Sequence, residues 1–285
     1  MRRGAVATRT LAQEAISQGL VTVDGAPAFK ASTQVRPDQA LHVAAPPRAY
    51  VSRGGDKLAH ALEVFGVDPQ GRHALDAGVS TGGFTDCLLQ RGAVRVLAYD
   101  VGYGQLHESL RTDPRVVLAE RTNVRDLGVA DIPAPRPDLL VADLSFISLA
   151  MVLPGLLALL AADAEAVVLV KPQFEADRGD VGDGGIVRDP AVWRRALERV
   201  AAAGAAAGAG ARAEAGAEAG AAAGTGAVGA GGWATVGATA SPLLGGKGNV
   251  EFLLHLSAAS AQDTPLADLL DAAIEEGADR RRRSV

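Results

Sequence analysis

The sequence predicts an α/β domain on a mainly parallel sheet, preceded by a small α+β unit. Three observations predict it. From about residue 50, short apolar runs of buried-strand type alternate with helical stretches, as strand–helix–strand units require. The first run passes into a glycine-rich turn, Asp76-Ala77-Gly78-Val79-Ser80-Thr81-Gly82-Gly83, which leads from a strand into a helix with free N–H groups at its start. The first 45 residues carry short alternating strands and a hairpin signal instead, and Pro46-Pro47 separates the two patterns.

Within residues 1–45, Ala12, Ile16 and Leu20 recur at helical spacing and Gly19 punctuates the run. Val21 and Val23 alternate as in a strand, Asp24-Gly25 is a turn, and Val35 and Leu41-His42-Val43 suggest further short strands. Residues 46–50 form a linker. In the larger domain, residues 51–258, the buried strands are Ala74 to Ala77, Val94 to Tyr99, Val116 to Leu118, Leu139 to Ala142 and Ala166 to Val170. Trp233 to Ala240 and Val250 to Leu256 form an antiparallel hairpin at one edge. Between helix and hairpin, residues 201–232 are 27 Ala or Gly out of 32. Glycine costs ~1 kcal/mol per helical position relative to alanine, and no side chain here is large enough to anchor a core. The segment therefore reads as a mobile low-complexity insertion. Residues 259–285 complete the chain as a helix and a frayed basic tail, Arg280 to Arg283.

Composition narrows the function. The single cysteine, Cys87, excludes a disulfide framework and a cysteine zinc site, and the five histidines lack ligand spacing, so no metal is expected. A reducing cytoplasm is the natural compartment, and no apolar leader is visible. Leu144 to Ala162 is an uncharged run of 19 residues, but Ser145, Ser148 and Pro154-Gly155 make it a strand end, a loop and a buried helix, not a membrane span. Residues 1–58 hold eight Lys/Arg against four Asp/Glu, while the rest holds 20 against 29. A basic front on an acidic body suits an anionic partner docking at the N-terminus. Of the 28 basic residues only Lys30, Lys57, Lys171 and Lys247 are lysines. A desolvated lysine can lose its proton near neutral pH and an arginine cannot.

The spacing Asp-x-Gly-x-x-x-Gly-Gly differs from the Gly-x-Gly-x-x-Gly that grips a pyrophosphate. Asp100 ends the next strand, 22 residues after Gly78, where a carboxylate can accept from ribose hydroxyls. The pattern suits S-adenosylmethionine, which has a ribose and a zwitterionic tail but no phosphate. Val141-Ala142-Asp143-Leu144-Ser145-Phe146 lacks the Asn/Asp-Pro-Pro-aromatic sequence usual for methylating exocyclic amines, and Cys87 lies inside a helix, so a hydroxyl acceptor remains.

Seven motifs then carry a resemblance. They are Ser-Arg-Gly-Gly-x-Lys-Leu (52–58), Thr-Gly-Gly-Phe-Thr-Asp (81–86), Asp-Val-Gly-Tyr-Gly-Gln-Leu (100–106), Glu-Arg-Thr-Asn (120–123), Asp-Leu-Ser-Phe-Ile-Ser-Leu (143–149), Lys-Pro-Gln-Phe-Glu (171–175) and Gly-Asn-Val-Glu-Phe (248–252). Together they resemble the TlyA family of rRNA ribose 2′-O-methyltransferases, older members of which were labelled hemolysins. The resemblance runs from about residue 8 to 256 apart from the insertion. It implies a class I, Rossmann-like methyltransferase domain of FtsJ type, with S-adenosylmethionine as methyl donor and ribosomal RNA or ribosomal subunits as partner. The implied target is a cytidine ribose in the large subunit, with the small subunit as a second target.

The family's Lys-Asp-Lys-Glu tetrad falls on Lys57, Asp143, Lys171 and Glu251. The resemblance implies that Lys171 is the general base, helped by burial and by Lys57, that Asp143 orients it beside the donor, and that Glu251 positions Lys57. The donor would be held by Asp76, Gly78, Ser80, Thr81, Gly82, Gly83, Phe84, Asp100, Asn123 and Asp143. The N-terminal unit resembles the S-four RNA-binding domain, and Met1-Arg2-Arg3-Gly4 resembles the tail of a further helix, so this domain is expected to be incomplete at its start. Arg2, Arg3, Arg9, Lys30, Arg48 and Arg53 are the expected RNA contacts. Two other classes compete: an RNA-binding protein with weak catalysis, and a membrane-lytic protein.

Overall fold

The computed structural model describes residues 12–13, 15–16, 19–28, 30–44, 49–218, 232–259 and 263–284, without the side chains of 208–218. The chain divides into two compact units, Met1–Ala49 and Tyr50–Val285.

In the first unit, β1 (Val21–Val23) pairs antiparallel with β2 (Ala26–Pro27) and with β3 (Leu41–Val43). Asp24 and Gly25 both take positive φ, 49° and 83°, as a tight hairpin turn demands. The Asp24 carboxylate accepts from Ala40 N at 2.7 Å, which ties the third strand's approach to this turn. Ala15, Val21 and Ala28 form a small core. Val35, expected in a strand, lies instead in irregular backbone between turns at Ala31-Ser32 and Pro37-Asp38, and among the described residues it pairs with no strand. Most of the 46–50 linker lies outside the described residues.

The second unit is a seven-stranded sheet in the order β6-β5-β4-β7-β8-β10-β9. Its strands are β4 (His73–Ala77), β5 (Arg95–Tyr99), β6 (Val116–Ala119), β7 (Leu139–Ala142), β8 (Glu165–Val170), β9 (Ala234–Ala240) and β10 (Phe252–Ser257). The first five run parallel, whereas β10 is antiparallel to β8 and to β9. Parallel strands covered on both faces must be apolar throughout, and β7 and all but the first residue of β8 are fully buried.

Helices α1 (Arg53–Phe65), α2 (Gly83–Gln90) and α3 (Glu108–Arg111) cover one face with Leu58, Leu62, Phe84, Leu88 and Leu110. Helices α4 (Leu149–Ala158), α6 (Pro190–Glu218) and α7 (Leu266–Arg283) cover the other with Leu153, Leu156, Trp193, Leu197 and Leu270. The remaining short helix, α5 (Pro172–Glu175), follows β8. Alternate strand residues supply each core, Ala74 and Val96 to one face, Leu75 and Leu97 to the other. The uncharged run after Asp143 is a loop and the buried helix α4. Among the described residues no helix is long and apolar enough to cross a membrane.

Two expectations need correction. The alanine-glycine segment does not begin as a mobile insertion at residue 201, because α6 continues through it to Glu218. Ala201 is buried, and a Cβ on Gly204 would stand 2.4 Å from Leu256 Cδ2. Small residues let the helix lie close to β10, and alanine's helix propensity offsets the glycines. Residues 219–231 of the segment lie outside the described residues. Arg280 to Arg283 are not frayed either. They form the last turn of α7, where Arg280 bonds Glu276 and cations complement the helix dipole.

Candidate functional site

Strand order reverses between β4 and β7, and there the C-terminal strand ends diverge into a crevice. Gly78 follows β4 with φ 90°, its N–H donating to Tyr99 O at 2.9 Å. A Cβ at Gly78 would stand 2.7 Å from the Asp143 carbonyl oxygen, so only glycine lets the two strand ends meet. The turn continues through Ser80 (φ 47°) to Gly82 (φ 97°).

The crevice holds two cavities that share Ser145 and Phe146. The larger, about 520 Å³, is lined by Gly78, Ser80, Asp100, Asn123 and Asp143, with Tyr99, Val124, Leu144 and Ile147 as apolar wall. Among the described residues no lysine or arginine lines it. Asp100 accepts from Ser80 N at 2.7 Å and Gly102 N at 2.6 Å, so it shapes the glycine turn while each oxygen keeps a lone pair for a ligand hydroxyl. Asn123 accepts from Arg125 N at 3.1 Å through Oδ1 and lines this cavity. A glycine turn, two carboxylates and an apolar slot fit a cationic, phosphate-free nucleoside such as S-adenosylmethionine better than a dinucleotide.

The smaller cavity, about 320 Å³, is lined by Ser145, Lys171, Phe174, Lys247, Asn249 and Glu251, among others. Two ion pairs reach it, each through one lining residue, Lys171 and Glu251. Lys171 Nζ lies 2.6 Å from Asp143 Oδ1 and donates to Ser145 Oγ at 2.8 Å. Lys57 Nζ donates to Glu251 Oε2 at 2.5 Å, with Lys57 9% and Glu251 3% exposed. Gly245 makes room for this pair, since a Cβ there would stand 2.0 Å from Glu251 Oε1. The four residues of the expected tetrad thus meet as two cation–carboxylate pairs, brought from α1, β7, β8 and the approach to β10.

The remaining expected donor contacts lie elsewhere. Asp76 is fully buried, accepting from Thr85 Oγ1 at 2.6 Å, while its Oδ1 has no hydrogen-bond partner among the described residues. Burial pushes its carboxyl up to about 7, against the Thr85 hydrogen bond and with added repulsion from Asp143. Thr81 is exposed, Phe84 is in the core, and Gly82 and Gly83 serve close packing. A Cβ on Gly83 would meet Ser52 Oγ at 2.3 Å and Gly55 N at 2.8 Å, so paired glycines bring the starts of α1 and α2 together. Of the expected RNA contacts, Lys30 and Arg53 are exposed, and Arg2, Arg3, Arg9 and Arg48 lie outside the described residues.

Several residues that shape the site carry no chemistry of their own. Glu175, 2% exposed, accepts from Ser148 Oγ at 2.7 Å and Leu149 N at 2.5 Å, joining the motif after Lys171 to the motif after Asp143. Asn249 accepts from Val187 N at 2.9 Å and donates to Gly185 O at 2.8 Å, fixing one cavity wall. Phe146, 93% exposed with φ 66°, stands between the cavities and packs on Phe174. Cys87 is buried and its thiol pushed up to about 11 by burial, so it offers no nucleophile. Among the described residues no metal-ligand cluster occurs.

Sheet order and cavity chemistry define an S-adenosylmethionine-dependent methyltransferase, and residues 50–208 match the FtsJ-like methyltransferase family, with an S4 domain matched over residues 2–41. The chain is 47% identical to the Mycobacterium tuberculosis 16S/23S rRNA (cytidine-2′-O)-methyltransferase TlyA, covering 97% of this chain and 96% of that one. It belongs to the TlyA family. Hemolysin A of Brachyspira hyodysenteriae is 36% identical over 88% of this chain and 95% of its own. A solved structure from Streptococcus thermophilus that carries the label hemolysin superposes with TM-score 0.71 at 33% identity, covering 99% and 94% of the two chains.

Proposed function

We propose that this chain methylates a ribose 2′-hydroxyl of a cytidine in ribosomal RNA, with Lys171 as general base. The observation that carries this reading is the meeting of two cavities at the Asp143–Lys171 pair. Asp143 lines the larger one and Lys171 the smaller, and their side chains touch at 2.6 Å. S-adenosylmethionine, bound in the larger cavity, supplies an electrophilic methyl group. Gly78, Asp100, Asn123 and Asp143 hold it there.

The acceptor ribose enters the smaller cavity. A 2′-hydroxyl is a poor nucleophile, so its proton must leave as its oxygen reacts. Lys171 in its neutral form takes that proton, and the new ammonium is stabilised by Asp143. Ser145, already bonded to Lys171, fixes the direction from which Nζ meets the hydroxyl. Lys57 and Glu251 cancel each other's charge and hold the cavity lining at Glu251 rigid, which keeps the base within reach of the proton. The S4 unit, with exposed Lys30, and exposed Arg53 at the start of α1 grip RNA phosphates. The buried thiol of Cys87 suits a reducing cytoplasm.

The test is transfer of labelled methyl from S-adenosylmethionine to ribosomal subunits from cells lacking this protein, followed by mapping of ribose methylation. The expected product is a 2′-O-methylcytidine. Label on a base, or none on RNA, would overturn the reading.

A further inference from the structure

Lys247 is the one scarce lysine of the site region outside the two ion pairs. It occupies φ 63°, a left-handed conformation that favours glycine, although Gly246 and Gly248 flank it. A strained position held by a long cationic side chain, where either neighbour would fit with less strain, is an outlier that invites a functional reading. Among the described residues no side chain forms a hydrogen bond or ion pair with its ammonium. It lines the smaller cavity together with Lys171 and Glu251.

Of the charged side chains that line this cavity, two belong to the ion pairs already described and one does not. Lys171 is matched by Asp143, and Glu251 by Lys57. Lys247 is left over, the lining cation that no carboxylate among the described residues pairs, whichever protonation state Lys171 holds. The wall beside it is built to stay in place, since Asn249 holds Gly185 and Val187, and Gly245 N donates to Asn249 O at 2.9 Å.

We propose that Lys247 binds the phosphodiester next to the target ribose. The inference rests on the acceptor assignment above. In RNA the 2′-hydroxyl and the 3′-phosphate sit on adjacent ribose carbons. A cation at the rim of the cavity that receives the hydroxyl therefore meets that phosphate. Lys247 fixes the register of the strand, so that the 2′-oxygen and not a neighbouring group faces Lys171. The lysine tolerates its strained backbone because its ammonium must project from this tight turn.

The experiment uses the full chain and three variants, Lys247→Gln, Lys247→Gly and Lys247→Arg, with ribosomal subunits from cells lacking this protein. Subunit affinity is measured against salt concentration, S-adenosylmethionine affinity separately, and thermal stability throughout. Gln and Gly are expected to weaken subunit binding about tenfold at low salt, the scale of one charge-assisted hydrogen bond. They should also flatten the log–log salt slope by about 0.7 to 0.9, the loss of one phosphate contact. Arg should restore the slope. Lys247→Gly should melt no lower than wild type because it relieves the left-handed lysine, which separates lost binding from lost folding. An unchanged slope with weaker S-adenosylmethionine binding would mean that the anion is the donor's carboxylate, and would overturn the proposal. Unchanged slope and unchanged donor binding would overturn it too. Methyl transfer by wild type in the same series tests the parent reading separately: if it fails, the acceptor assignment falls, and if it succeeds with unchanged slopes, Lys247 alone loses its role.

Discussion

Glu251 Oε2 stands 2.5 Å from Lys57 Nζ, joining two nearly buried charges that are 194 residues apart in the chain. Breaking such a pair leaves a buried charge uncompensated, at a cost of about 3–5 kcal/mol. Glu251→Gln is therefore expected to lower both thermal stability and methyl transfer. Adding Lys57→Met should return much of the stability and none of the lost transfer. Thermal unfolding and single-turnover rates on the double variant check this, and recovery of both would reduce the pair to a structural role.

Gly83→Ala should destabilise the domain by about 1–3 kcal/mol, because its Cβ would meet the Gly55 backbone N at 2.8 Å and backbone cannot rotate away. Gly155→Ala is the matched control, with nothing within 4 Å of its Cβ, and should be neutral or gain ~0.5–1 kcal/mol in α4. Chemical denaturation of both variants decides it. Equal effects would show that the α1–α2 contact is not close-packed.

Two carboxyls should give opposite pH slopes. Asp76, fully buried, is raised to about 7 from a reference of 3.8. The folded chain keeps this proton where the unfolded chain releases it. Its contribution is complete below about pH 4 and lost as pH rises through 7, on the order of a few kcal/mol. Asp76→Asn should remove that slope. Glu165, held by His255 and Arg72, is lowered to about 2, so its contribution is present above pH 4.5 and lost as pH falls through 2. Glu165→Gln should flatten the acid side alone. Unfolding midpoints from pH 2 to 8 separate the two, and a matching slope in either variant and wild type would remove that carboxyl from the account.

Replacing residues 201–207 with a Gly/Ser bridge should lower the melting temperature, since Ala201 is buried and Gly204 lies against Leu256. An unchanged melting temperature would restore the view of this stretch as filler. Large apolar side chains announce a core, and β7 and β8 were legible because their runs are nearly continuous. A helix that packs through alanine and glycine buries little area per residue and leaves no such signal. The glycine turn, Asp100, Asn123, Asp143 and Lys171 were legible as residues because each stands at or just beyond a strand's C-terminal end. Their partnerships were not. That Asp100 spends hydrogen bonds on Ser80 and Gly102, or that Glu175 bonds Ser148 and Leu149, depends on contacts that no local pattern encodes.

The most direct measurement is the single-turnover rate of Lys171→Arg with saturating S-adenosylmethionine and ribosomal subunits. Arginine keeps the charge beside Asp143 and much of the reach, but it cannot readily give up its proton. With Lys171 as general base, methyl transfer should fall by a factor of about 10²–10⁴, donor affinity should change little, and raising the pH should not rescue the variant. A variant that keeps more than about a tenth of the wild-type rate would contradict the base assignment.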